Sequence, residues 1–168
     1  NPFRGVYELS EIATESYENA RKAVAQFIGA KDASQIVFTR NATESLNLIA
    51  YSYGMNFIKE GDEIVVSVME HHSNFLPWKQ VAEKCGAVLK QLTPDENGEI
   101  TDKSLEVITD KTRLVAVTQV SNVLGRVNDI KHIAEVAHAH GAVIVADGAQ
   151  SVPHMPVNAV SYTHLRAH

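Results

Sequence analysis

Apolar and polar positions follow two rhythms along this chain. Leu9, Ile12, Ala13, Tyr17, Ala20, Val24, Phe27 and Ile28 recur mainly at intervals of three and four, which predicts an amphipathic helix that Gly29 ends. Shorter apolar runs rich in β-branched residues alternate with further helical patterns. "QIVFTR" (35–40) predicts a strand and "ATESLNLIAYSYGMNFIK" (42–59) a helix. "DEIVVSV" (62–68) predicts a strand, and "LPWKQVAEKCG" (76–86) a helix with Pro77 in its first turn. "AVLKQL" (87–92) is a strand followed by the turn "PDENG", and Thr101 can cap a short helix to about Ile108. "RLVAVTQ" (113–119) predicts a strand, "NDIKHIAEVAHAHG" (128–141) a helix and "AVIVAD" (142–147) a strand. Five alternations of strand and helix, with no repeat or long linker between them, predict an α/β fold: a mostly parallel sheet with helices on both faces.

In such sheets ligands sit beyond the carboxyl ends of the strands, so the loops there carry the chemistry. "TRNATES" places small and hydroxyl residues at a helix start. It is either a phosphate seat on free amides or a plain N-cap by Asn41 or Thr43. "MEHHSN" holds adjacent histidines. In an extended segment these point opposite ways, which disfavours a metal and leaves a ring that stacks on a flat ligand, or a polar loop without a role. Asn122 in "VSNVLG" either satisfies its loop or donates to a ligand oxygen. In "VIVADGAQ" an apolar run ends on Asp147, which is costly unless the carboxylate caps the next turn or meets a cation. A carboxylate at that place would keep a bound pyridine nitrogen protonated, and Gln150 could reach a phenolic oxygen on the same ring. Phosphate seat, stacking His, amide donor and buried Asp together fit pyridoxal 5'-phosphate.

Composition narrows the classes. The chain has 168 residues, 45% hydrophobic and 21% charged, with a formal charge of -5 and no Lys/Arg cluster, which speaks against nucleic acid or an anionic membrane as partner. No apolar run reaches the length of a membrane span and no signal-peptide pattern is present. Cys85 is the single cysteine, which excludes an internal disulfide and a multi-thiolate metal site and fits a reducing, cytoplasmic setting.

"RNATESLNLIA", "EHHSNFLPW", "KTRLVAVTQVSNVLG" and "HGAVIVADGAQSV", in this order, resemble the class V aminotransferase family. Within it the resemblance is to cysteine desulfurases of the sulfur-mobilisation type, which overlap with selenocysteine lyases, and it runs from about residue 4 to residue 157. It implies the large domain of a fold-type I pyridoxal-phosphate enzyme, homodimeric in the family and incomplete in this chain. Residue by residue, it implies that Ala42 (through its backbone) and Thr43 hold the cofactor phosphate. His71 would stack on the pyridine ring and help proton transfer, Asn122 would approach the ring hydroxyl side, Asp147 would pair with the ring nitrogen, and Gln150 would bond the phenolic oxygen. The implied reaction takes sulfur from L-cysteine (or selenium from selenocysteine), leaving L-alanine and an enzyme persulfide. A sulfur-acceptor protein then receives the sulfur for iron–sulfur cluster assembly.

The resemblance also implies parts these residues do not supply. No lysine follows Asp147, and Cys85 at a helix end is read as a small semi-buried residue, so the Schiff-base lysine, the persulfide cysteine and the carboxylate-binding arginine are expected outside the chain. Residues 1–160 are expected to be a partial cofactor-binding domain and 161–168, "SYTHLRAH", an extraneous tail. Phe3 stands where the family often has His. The isolated chain is expected to expose a sheet edge and apolar helix faces, to fold poorly and to lack desulfurase turnover. Other readings are a different class V enzyme (aminotransferase, epimerase or kynureninase-like lyase), a nucleotide-binding module, which lacks the required glycine motifs, and a non-catalytic fragment.

Overall fold

The computed structural model describes Gly5 and residues 7–159; Phe3 and the tail 161–168 lie outside the described residues. The described residues of Asn1–Phe38 and Pro156–Ser161 cluster into one compact unit, and those of Thr39–Met155 into a second.

The first unit is built on α1 (Glu8–Phe27), whose last turn closes at Ile28, with Gly29 at φ 70°. Ser10 and Ala25 are its buried residues, and Tyr17 packs edge-on against Phe38 with ring centroids 5.3 Å apart. Much of the apolar stripe stays exposed: Leu9 at 72%, Ile12 at 51% and Phe27 at 68%. The strand expected at 35–40 does not form. Gln35 closes a 3-10 turn (Ala33–Gln35) capped by Asp32, and the N–H of Ile36 bonds back to Ala33. The segment after it is extended at Ile36 but joins no strand ladder, so its β-branched composition finds no hydrogen-bonding partner strand.

The second unit holds the sheet. Its first helical stretch runs from α2 (Ala42–Ile49) through a π turn (Ala50–Gly54) into α3 (Met55–Phe57), close to the helix expected over 42–59. Then come β1 (Glu63–Ser67), α4 (His72–Cys85), β2 (Val88–Leu92), α5 (Asp102–Leu105), β3 (Thr112–Thr118), α6 (Ile130–Ala139) and β4 (Val143–Asp147). The sheet has four strands in the order β2-β1-β3-β4, and every pairing is parallel. Four strands therefore stand where the pattern predicted five.

Alternation along the strands explains why both faces are covered. Val65, Val115, Val117 and Ile144 pack on one side with Leu105, Ile130 and Ile133 of α5 and α6. Ile64, Val66, Leu114, Ala116, Val143 and Val145 pack on the other with Ala50, Trp78 and Val81. At the amino ends of the strands Glu63 gathers Lys90 at 2.8 Å and the Thr109 hydroxyl at 2.7 Å, joining β1 to β2 and to the start of β3. Burial pushes the Glu63 carboxyl up, but those partners outweigh it and hold it below its ordinary range.

Two boundaries differ from expectation. The helix α4 begins at His72, a turn earlier than predicted, so Pro77 lies inside it and not in its first turn. The cause is a histidine cap: His71 Nδ1 accepts from the N–H of Ser73 at 3.2 Å, and the N–H of Asn74 bonds His71 O. Thr101 caps α5 as expected, but the helix ends at Leu105. Among the described residues no helix is long and apolar enough to cross a membrane.

Candidate active site

The sheet changes winding direction at β1: β2 lies on one side of it, β3 and β4 on the other. Loops leaving β1 and β3 diverge there and open a crevice at the carboxyl ends. A cavity of about 340 Å³ lies in it, lined by Asn41, Ala42, Thr43, His71, Ser73, Thr118, Asn122, Asp147, Ala149 and Gln150. All six residues singled out from sequence, Ala42, Thr43, His71, Asn122, Asp147 and Gln150, thus line one cavity. The "TRNATES" loop reaches it from the start of α2 without a strand before it.

At one end stands the amino terminus of α2. Asn41 caps it, with Oδ1 accepting from the N–H of Glu44 at 2.9 Å. Ala42 and Thr43 open the first turn, where amides have no intrahelical acceptor and the helix dipole is positive. Arg40 reaches over the same turn to Glu44 at 2.9 Å, which lowers the Glu44 carboxyl chiefly through that hydrogen bond.

At the other end stands Asp147, the last residue of β4 and 7% exposed. Among the described residues its carboxylate accepts the N–H of Ala149 at 3.0 Å and makes no ion pair. That bond is the turn cap considered from sequence, and it leaves the carboxylate without a cation. Its loop is pinned from below: Ser151, fully buried, donates to Gln119 Oε1 at 2.6 Å, and the N–H of Gln119 bonds Asp147 O at 2.9 Å.

His71 forms a side wall. Because Nδ1 accepts a backbone N–H, the proton of the neutral ring belongs on Nε2. Its ring and that of His72 are tilted 50° apart with centroids 6.3 Å apart. Among the described residues no group of three or more His, Cys, Asp or Glu is placed to hold a metal ion. Asn122 lies in the turn after β3, and His154 Nδ1 donates to Gln150 O at 2.7 Å, bracing the Gln150 backbone.

Sequence reasoning missed Glu70. Its carboxylate accepts from Ser67 Oγ at 2.5 Å, Asn74 Nδ2 at 2.5 Å and the N–H of Thr118 at 2.8 Å. Asn74 in turn accepts the indole N–H of Trp78 at 3.0 Å. Burial, with a smaller contribution from the Asp147 charge, pushes the Glu70 carboxyl up to about 7 although three hydrogen bonds act against it. The legible signal was a spacing of four, Glu70, Asn74, Trp78, which puts Asn74 and Trp78 on one face of α4 with Glu70 just before its cap.

The donor set fits pyridoxal 5'-phosphate: free amides and a hydroxyl at a helix start for a dianion, and across the cavity a buried carboxylate without a cation for a protonated ring nitrogen.

Comparison with known proteins shows what the chain as a whole is similar to. The family model described as aminotransferase class-V matches residues 1–163. A probable cysteine desulfurase of Halalkalibacterium halodurans is 49% identical over 159 residues, which is 94% of this chain and 39% of that protein. The apo structure of a cysteine desulfurase from Thermococcus onnurineus NA1 superposes with a TM-score of 0.88 at 43% identity, covering 95% of this chain and 39% of that one. A structure of SspA in complex with cysteine gives a TM-score of 0.85 at 29% identity, covering 96% and 46%. The chain therefore spans 39% of the length of the first relative it matches.

Proposed function

The chain belongs to the class-V aminotransferase family, and on that premise we propose that it is the cofactor-binding part of a pyridoxal-phosphate-dependent cysteine desulfurase. The observation that carries this reading is the cavity itself, with first-turn amides of α2 at one end and the buried, cation-free Asp147 at the other.

Ala42 and Thr43 would hold the phosphate through the first turn of α2. Asp147 would keep the ring nitrogen protonated, Asn122 and Gln150 would bond the ring's hydroxyl side, and His71 would lie on the ring face. With its proton on Nε2 and Nδ1 committed to the α4 cap, His71 is oriented to exchange a proton at Nε2. When bound, the cofactor supplies an electron sink at its pyridinium. The substrate proposed is L-cysteine, or selenocysteine, with L-alanine and an enzyme persulfide as products. Cysteine is supported by the similarity to cysteine desulfurases and to a protein crystallised with cysteine.

Cys85 is half-buried with Sγ 4.0 Å from Met55 Sδ at the carboxyl end of α4, which suits packing better than sulfur transfer. The sulfur-bearing cysteine and the Schiff-base lysine are assigned to parts of the longer protein beyond these residues. The remainder of the proposal is a homodimer in the cytoplasm that passes sulfur to an acceptor protein for iron–sulfur cluster assembly; the single cysteine supports the reducing compartment. Residues 1–160 would be the partial cofactor-binding domain and 161–168 a segment foreign to it.

Equilibrium dialysis against pyridoxal 5'-phosphate tests the reading. Saturable binding by this chain, weakened at least about tenfold in Asp147→Ala by loss of the ring-nitrogen partner, is the expected result. Absence of saturable binding overturns it. Alanine release from cysteine is expected to be zero for the chain alone, and measurable turnover would show that the lysine assignment is wrong.

A further inference from the structure

A second acid lies beneath the cavity, and the cofactor arrangement above makes no use of it. Glu70 stands between β1 and His71, and its carboxylate joins three elements: Ser67 of β1, Asn74 of α4 and Thr118 of β3. All three partners are buried, and all three donate. Thr118 is the hinge of the geometry. Its N–H goes to Glu70, while in the β3–β4 register it faces Asp147. Two carboxylates thus flank one residue of the cavity floor.

Among the described residues Glu70 makes no ion pair with a lysine or arginine. The side chains touching it from β1 and α4 are neutral, His71 is its chain neighbour, and Asp147 on β4 is the charged group that acts on it. Three donors favour the anion; burial and the second carboxylate favour the acid. Burial is the main force on the side of the acid, and the charge at Asp147 adds to it.

We propose that Glu70 is a positioning residue coupled to Asp147: a cation held by Asp147 cancels the repulsion, Glu70 releases one proton to solvent, and the hydrogen bonds it already accepts from Thr118 and Asn74 become charge-assisted and stronger. This deepens the reading above, on which it rests for the identity of the cation, the ring nitrogen of pyridoxal 5'-phosphate. The consequence is local. The ends of β1 and β3 and the His71 loop are held harder when the ligand is in place, and ligand binding and proton release are linked.

The Thr118 amide reports the acid directly, because it donates to Glu70. In the nitrogen-15-labelled chain its NMR shift is followed across pH. The free protein is expected to titrate near the value of about 7 given above, and Glu70→Gln to lose that titration. Asp147→Asn is expected to shift the Glu70 midpoint downward, and saturating pyridoxal 5'-phosphate to do the same in the unsubstituted chain. Cofactor affinity should rise with pH on the acid side of that midpoint and be flat in Glu70→Gln. A role in packing alone would alter stability without this pH dependence.

A midpoint that stays put on neutralising Asp147, or on cofactor binding, overturns the coupling. If the Asp147→Asn chain does not fold, the cofactor arm decides. If the cofactor does not bind while Asp147→Asn lowers the midpoint, the coupling stands and the functional reading falls.

Discussion

Asn74 serves two partners with one amide, donating to Glu70 and accepting from the Trp78 indole while itself fully buried. Asn74→Ala leaves a buried N–H without an acceptor and removes a donor from a carboxylate, so a loss of about 2–4 kcal/mol is expected in denaturant unfolding. Glu70 itself gives stability a pH dependence of unusual sign. Its folded-state proton affinity is raised above that of the unfolded chain, so its contribution is complete below the ordinary glutamate range and is lost as pH rises through about 7. Unfolding free energies of the chain and of Glu70→Gln should therefore diverge across that window, by about 3 kcal/mol at most; parallel curves would contradict the shift. At this scale the six cavity residues were legible because each stands at the end of an element, where a polar group needs a reason. Glu70 was not, because a polar residue after a strand looks like any solvated loop position. Its spacing with Asn74 and Trp78 acquires meaning only when α4 starts at His72. Pro77 invited a later start, since proline is at home in a first turn, and the imidazole cap that moves the start is a rarer device than Ser, Thr or Asp.

The helical stretch from Ala42 to Phe57 shows how an element can be right in outline and different in detail. Its periodicity carried the helix, but five residues, Ala50–Gly54, are wound as a π turn, which hydrophobic spacing does not reveal. Ser52 Oγ bonds Leu48 O at 2.6 Å and Asn56 Nδ2 bonds Ser52 O at 2.7 Å, so polar side chains support the wider turn. Gly54 closes it against α4. Alanine would favour the helical backbone there by about 1 kcal/mol, but its Cβ would stand 2.9 Å from Val81 Cγ2. Val81 is fully buried and stiff at χ1, so the clash outweighs the propensity. Gly54→Ala is expected to destabilise by about 1–2 kcal/mol, read as a lowered midpoint in thermal unfolding; a raised midpoint would show that α4 can yield. The missing strand at 35–40 fails for a different reason. Composition can nominate a strand, but only a neighbour in register makes one.

Across the whole molecule, the parallel sheet and its two covered faces follow from strand alternation and from the helices between strands, and both were legible. The position of the cavity followed too, because the crevice of such a sheet lies where its winding reverses. What no single stretch could show is that Thr118, an unremarked strand residue, donates its N–H to Glu70 and stands beside Asp147 in the strand register. That arrangement spans residues 70, 118 and 147, which only the sheet order brings together. The same order leaves β4 with β3 as its one ladder partner among the described residues, with Val143, Ile144 and Val145 half-buried and Ala146 exposed. An apolar edge of this kind recruits other chains. Sedimentation velocity of the 168-residue chain should show association that grows with concentration and is reduced by Ala146→Lys; a monomer at every concentration would contradict it.

Trp78 is the single tryptophan of the chain. It sits fully buried, two hydrogen bonds from the Glu70 carboxylate through Asn74. Tryptophan emission of this 168-residue chain therefore comes from one indole, and the acceptor that indole donates to is polarised by the charge on Glu70. The fold carries its own optical gauge of that proton: emission should change as Glu70 ionises, with no label attached and no other indole to mask it.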